Sequence, residues 1–148
     1  MAGFTLAEML LVLVVLGILT SVGYWQMLPA LERQRVRRTT AVIAADLQYA
    51  QAMAARQRRP VVIIAQPVLK AYLIRDRPGT TVYRQRFFGD ETDYMIDAFD
   101  VSPKTTVEIF PNGVATATTT FTVSIQDYER HVRLTSAGQV RILGVSES

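Results

Sequence analysis

The sequence predicts an α+β fold, with one long N-terminal α-helix packed on a small, mostly antiparallel β-sheet domain. Three observations carry this. Residues 4–58 place apolar side chains at helical spacing, without the alternation of a strand. At Pro60 the pattern stops, because the residue before a proline is pushed out of the α region. Beyond it, short β-branched or aromatic runs alternate with turn residues. A chain of 148 residues holds one globular domain plus attachments.

The helix has two parts. Met9 to Leu31 contains no charged residue over 23 positions. At ~1.5 Å per residue such a helix is ~34 Å long, against ~30 Å for the hydrocarbon core of a bilayer. Residues 4–28 are therefore predicted to form a transmembrane segment. A cleaved secretory signal would need a basic start and a shorter apolar stretch, yet only Met1 to Gly3 precede this run. Residues 29–59 continue the helix in amphipathic form. Val36, Ile43, Leu47, Ala50 and Ala54 define an apolar stripe, while Arg33, Arg37, Thr40, Asp46, Gln48 and Gln51 are expected on the wet side. Pro29 removes one backbone hydrogen bond and predicts a kink.

Charge follows the same division. The chain carries a net +3, but Glu32 to Arg59 holds seven arginines against two acids, a local +5. Residues 60–148 hold nine basic against ten acidic residues, a net −1. The basic character thus belongs to the segment after the apolar run. No cysteine is present, so neither a disulfide scaffold nor thiol chemistry is expected.

The predicted β domain, 60–148, begins with runs at 61–66, 70–76 and 81–87, the last two joined by a tight turn at 77–80. Residues 88–104 are acidic and lack a clear period, which reads as a long loop. Strand character resumes at 106–110, 120–125, 130–135 and 139–143. In 120–125, Phe121, Val123 and Ile125 alternate with Thr and Ser, as in a half-buried antiparallel strand. The apolar stripe of residues 43–54 is expected to form one wall of the core.

Glu8 stands at the head of the apolar run, where an unpaired charge is costly. No basic side chain lies within four helical turns. Cutting the chain after Gly3 would expose a new amine on Phe4, four residues from Glu8 and on the same helix face. That amine, or one from a neighbouring subunit, would compensate the carboxylate. An alternative is that Glu8 snorkels at the membrane edge without a partner.

These residues, Gly3-Phe4-Thr5-Leu6-Ala7-Glu8 followed by unbroken apolar helix, resemble the class III signal of type IV pilins and type II secretion pseudopilins. The resemblance implies a leader at 1–3, cleavage after Gly3 by a prepilin peptidase, N-methylation of Phe4, and Glu8 as the assembly residue. Residues 46–63, "FPNGVAT" and "TSAGQVRI" resemble the GspH/FimT family of minor pseudopilins and minor pilins. That family has a long helix packed on two β-sheets. Two features depart from the pattern. The leader is short and lacks basic residues. Arg33 to Arg38, by charge alone, would place the following domain in the cytoplasm, whereas the resemblance implies the periplasm.

Other signals are weaker. His131, the sole histidine, alternates with Val132 and Leu134 and reads as a strand surface position. Asp90, Glu91, Asp93, Asp97 and Asp100 gather oxygen ligands, but their spacing matches no EF-hand, so no metal is expected. Arg133 and Arg141 lie on adjacent predicted strands and could meet DNA phosphates, a role the resemblance associates with DNA-binding minor pilins. The Gly-Arg-x-Arg pattern here reads Gly138-Gln139-Val140-Arg141, which lacks its first arginine. Solvated strand arginines are the favoured reading.

No coherent set of acid, base, nucleophile or metal ligands is evident, so the chain is expected to act by assembly, without a cofactor. The expected role is that of a minor pseudopilin in a short periplasmic filament of a type II secretion system. Its expected partners are the prepilin peptidase, other pseudopilins or pilins, and the inner membrane. The alternative is a FimT-like minor type IV pilin in pilus biogenesis or DNA uptake, with DNA as partner.

Overall fold

The structure, a computed structural model, describes residues 5–144, and the side chains of all of these except 22–26 and 28. The chain divides into two compact units, Met1–Glu32 and Arg33–Ser148. Helix α1 spans Leu6–Gln57 and does not end at Pro29. It stops in a Schellman turn. Arg58 adopts a left-handed φ of 51°, Arg58 N–H donates to Ala55 O, and Arg59 N–H donates to Ala54 O. Pro60 follows, as the change of period predicts.

Among the described residues of the second unit, eight strands follow the helix: β1 (Val61–Gln66), β2 (Ala71–Asp76), β3 (Val82–Phe87), β4 (Ala98–Ser102), β5 (Thr106–Ile109), β6 (Thr119–Ile125), β7 (Tyr128–Leu134) and β8 (Val140–Leu143). They form two four-stranded sheets, ordered β3-β2-β1-β5 and β4-β6-β7-β8, with every pairing antiparallel. The chain interleaves them: β4 joins the second sheet before β5 returns to the first.

Two sequence expectations are corrected here. Residues 88–104 are not one long loop, because β4 lies inside them and pairs with β6 from Ala98↔Ser124 to Ser102↔Thr120. Phe99 and Val101 point inward while Ala98, Asp100 and Ser102 face out. This is a two-residue period that the acidic composition obscured. The wet side of the helix is also narrower than expected. Thr40 and Asp46 are buried, at 0% and 1% exposure. Thr40 satisfies its hydroxyl by donating back to the carbonyls of Val36 and Arg37.

The core is continuous across the layers. Val36, Ile43, Leu47, Ala50 and Ala54 are all buried, as the stripe predicts. They join a cluster with Ile63 and Ile74 of the first sheet and Phe121, Val132 and Leu134 of the second. Phe88 and Ile96 anchor the segment between β3 and β4 into this core. The Phe88 ring lies 5.5 Å from Tyr72, 5.7 Å from Phe99 and 5.1 Å, edge-on, from Tyr94. Such aromatic contacts add to plain area burial.

Candidate functional site

The first candidate is the apolar helix start. Thr5 precedes α1, and its hydroxyl accepts a hydrogen bond from Glu8 N–H at 3.3 Å. Thr5-x-x-Glu8 is thus the sequence pattern of a capping box, a signal missed in the sequence reading. A carboxylate in the first turn also complements the positive end of the helix dipole. Thr5 therefore caps the helix, with the Glu8 carboxylate in the turn that follows it. Gly3 and Phe4 lie outside the described residues.

Around this start, the side chains from Leu6 to Ser21 are exposed on every face. Leu11, Leu13 and Leu19 are 66%, 67% and 64% exposed. A helix apolar all round calls for an apolar surrounding, either lipid or other helices. Among the described residues no helix is long and apolar enough to cross a membrane; the predicted span includes residues 22–26 and 28, whose side chains lie outside that set.

The second candidate is the pair Arg133 and Arg141. They are exposed and directly opposite each other in the β7–β8 ladder. Like charges placed so are mildly destabilising. Arg141 donates to Gln139 Oε1 at 3.0 Å. His131 is half-buried, with Nδ1 3.0 Å from Thr122 Oγ1 and Nε2 3.5 Å from Glu129. These are neighbours along one sheet face.

The acidic segment does not gather into a ligand shell. Asp90 meets Lys70 Nζ at 3.1 Å, and Asp97 accepts from Gln126 N–H at 2.7 Å. Among the described residues no three His, Asp or Glu side chains come together as a metal would require.

A polar node missed from the sequence sits under the helix. Asp46 Oδ2 accepts from Tyr72 Oη at 2.7 Å and from Arg86 Nε at 2.8 Å, and Oδ1 accepts from Arg84. The Arg84 guanidinium also lies 4.1 Å over the Tyr49 ring. One carboxylate thus ties α1 to both β2 and β3. Burial alone would raise the Asp46 pKa, but the bonds from Arg86, Tyr72 and Arg84 outweigh it and hold the group below its ordinary value. Burial, reinforced by the Asp46 charge, pushes the Tyr72 hydroxyl well up. Every partner is satisfied, so the node is structural.

The last feature is a cleft of about 420 Å³ where α1 ends, between Gln57–Pro60 and the β2–β3 turn. Arg59, Arg77 and Tyr83 line it. Arg77 Nε lies 3.2 Å from Glu108 and remains 67% exposed.

A long helix on two antiparallel sheets is the architecture of the pilin-like proteins, and comparison with solved structures bears this out. The type IV minor pilin FimU of Pseudomonas aeruginosa PAO1 superposes with a TM-score of 0.62 and 21% identity, over 76% of this chain and 90% of that one. A second crystal form of FimU gives 0.59 and 19%, over 72% and 91%. The minor pseudopilin EpsH from the type 2 secretion system of Vibrio cholerae gives 0.61 and 12%, over 76% and 99%. At these identities the likeness concerns the fold. No curated protein matches the sequence. Residues 39–138, more than half of the chain, match the family model of type II transport protein GspH, and the chain belongs to that family.

Proposed function

We propose that this chain is a minor pseudopilin of a type II secretion system. It is made as a single-pass inner-membrane precursor with residues 60–148 in the periplasm, and then built into a short periplasmic filament that supports export of folded proteins. It acts by assembly rather than catalysis. The observation that carries this reading is the GspH family match over residues 39–138. The charge-free run Met9–Leu31, preceded by Gly3-Phe4-Thr5-Leu6-Ala7-Glu8, supplies the anchor and the processing signal.

In this reading the prepilin peptidase cuts after Gly3 and Phe4 is N-methylated. The carboxylate of Glu8 then meets the amine of a neighbouring subunit as the helices pack. A subunit out of register leaves that charge unpaired in an apolar bundle, which is strongly disfavoured. Mass spectrometry of the protein from its native host tests the processing. The expected mature chain begins at methylated Phe4, and a functional protein that still begins at Met1 overturns the reading. Glu8→Val is expected to insert into the membrane normally but to be absent from filaments. Its normal incorporation would remove the register role.

The likeness to FimU favours a second reading, a minor type IV pilin in pilus biogenesis or DNA uptake. The facing pair Arg133 and Arg141 would then be the phosphate contact. Deleting the gene separates the two readings: an export defect supports secretion, whereas loss of pili or of transformation supports the pilus. A gel shift with residues 29–148 tests the DNA role. Absence of binding at low salt, where phosphate contacts are strongest, removes it.

A further inference from the structure

The unit Arg33–Ser148 opens on Arg33, Arg35, Arg37 and Arg38, four arginines in six helical positions. Arg33, Arg37 and Arg38 are exposed and Arg35 is half-buried. Among the described residues none of the four forms an ion pair with a carboxylate. The helix beneath them is nonetheless packed. Val36, Thr39 and Thr40 are fully buried, so these arginines are presented from a fixed place on the β domain. Two of the guanidinium groups also rest on aromatic rings. Arg33 lies 5.8 Å over Tyr128 and Arg38 lies 5.6 Å over Tyr94. A guanidinium above a ring face keeps its in-plane N–H donors free for another acceptor.

Their place in the sequence points to that acceptor. The charge-free run ends at Leu31, two positions before Arg33. At ~1.5 Å per residue, positions 33–38 cover ~8 Å of helix rise. The headgroup layers take a bilayer from ~30 Å to ~40–45 Å, so each is ~5–8 Å thick. The arginines therefore match one headgroup layer in depth and follow directly on a run that matches the hydrocarbon core.

We propose that Arg33, Arg35, Arg37 and Arg38 bind the phosphate groups of membrane phospholipids and so fix how deep the apolar run sits. The inference rests on the membrane-anchor reading above. Phosphate, rather than a net negative surface, is what the segment fits. Glu32 precedes the arginines, Asp127 adjoins Tyr128 and Asp93 adjoins Tyr94, so the surroundings exert little long-range pull toward an anionic membrane. A guanidinium meets phosphate at short range instead, through two parallel N–H···O bonds. Every phospholipid carries that group. Basic residues are ordinarily concentrated in cytoplasmic loops, and phosphate binding gives these four a task on the periplasmic side. The contacts end when the helix leaves the bilayer, so they add to the hold on an unassembled subunit.

The test uses the full chain in phosphatidylcholine vesicles and phosphate-free buffer, where lipid is the source of phosphorus. The protein is isotopically labelled at the arginine Cζ, and solid-state NMR reads carbon–phosphorus dephasing. Trp25, the sole tryptophan, belongs to the apolar run and gives a second readout, quenching by lipids brominated on the acyl chain. Wild type is expected to show both dephasing and quenching. The quadruple variant Arg33→Gln/Arg35→Gln/Arg37→Gln/Arg38→Gln is expected to keep the quenching and lose the dephasing. The double variant Arg35→Gln/Arg37→Gln leaves every described side-chain hydrogen bond, ion pair and ring contact in place, because only the backbone carbonyls of these two residues are engaged. It is expected to fold as wild type does and to show an intermediate loss.

Dephasing that is absent from wild type, or that survives undiminished in both variants, overturns the proposal while the anchor stands. An acidic neighbouring subunit as the true partner gives the first of these results. A Trp25 that escapes acyl-chain quenching overturns the anchor reading itself, and the proposal with it.

Discussion

At Asp46 a single buried carboxylate meets two guanidinium groups and a phenol. Removing one partner of a buried pair leaves the others stranded, at a cost of several kcal/mol. Arg84 and Arg86 are about a third exposed, so water relieves part of that cost. Asp46→Asn is expected to lower unfolding stability by about 2–3 kcal/mol in urea titrations, and Tyr72→Phe by about 1 kcal/mol. The pH dependence follows from the lowered pKa of Asp46. A carboxylate depressed on folding stabilises above its unfolded pKa, ordinarily 3.8, and loses that contribution as pH falls toward its folded value. Wild type should therefore lose stability in acid below about pH 4, and Asp46→Asn should show a flatter profile there. Arg58 offers the opposite case. It holds a left-handed φ that glycine adopts freely, so Arg58→Gly is expected to raise stability by about 0.5–1 kcal/mol, read from the melting temperature.

Two turns meet closely beside the helix. Gly138 has φ +84°, and a Cβ there would lie 2.1 Å from Gly113 O. Gln51 of α1 donates to Gly138 O and pins the turn to the helix. Gly113 has a similar φ, +83°, but open space around it. Gly138→Ala should therefore cost about 2–4 kcal/mol, and Gly113→Ala only about 1 kcal/mol, in the same denaturation assay. The helix, its apolar stripe and seven of the eight strands were legible in the sequence, because burial on one face imposes a regular period. β4 was hidden because Asp100 and the segment before it are acidic, which masked the alternation of Phe99 and Val101. Asp46 was misplaced on the wet side for a related reason. Periodicity assigns a polar residue to solvent, and the partners that admit it to the core, Tyr72, Arg84 and Arg86, come from elsewhere in the chain. Of the candidate sites, Arg133 and Arg141 were placed on adjacent strands as expected, but their facing register and the arginine cleft depend on the fold.

Across the whole molecule, one helix contributes to two environments. Its first turns are apolar on every face, while residues 36–54 supply a wall of the core. Residues 33–148 are expected to remain in solution without detergent and to melt in one transition, whereas the full chain sediments with membranes; calorimetry and fractionation check both. The wall itself has a long wait. Its apolar stripe is covered in part by Val132 and Leu134 of β7, and Gln51 finds its acceptor only at residue 138. During synthesis at the ribosome the helix therefore emerges early, and its stripe stays partly uncovered until nearly the whole chain has been made. Apolar surface left open in this way favours aggregation, so a chain ended before β7 is expected to aggregate where the full chain does not.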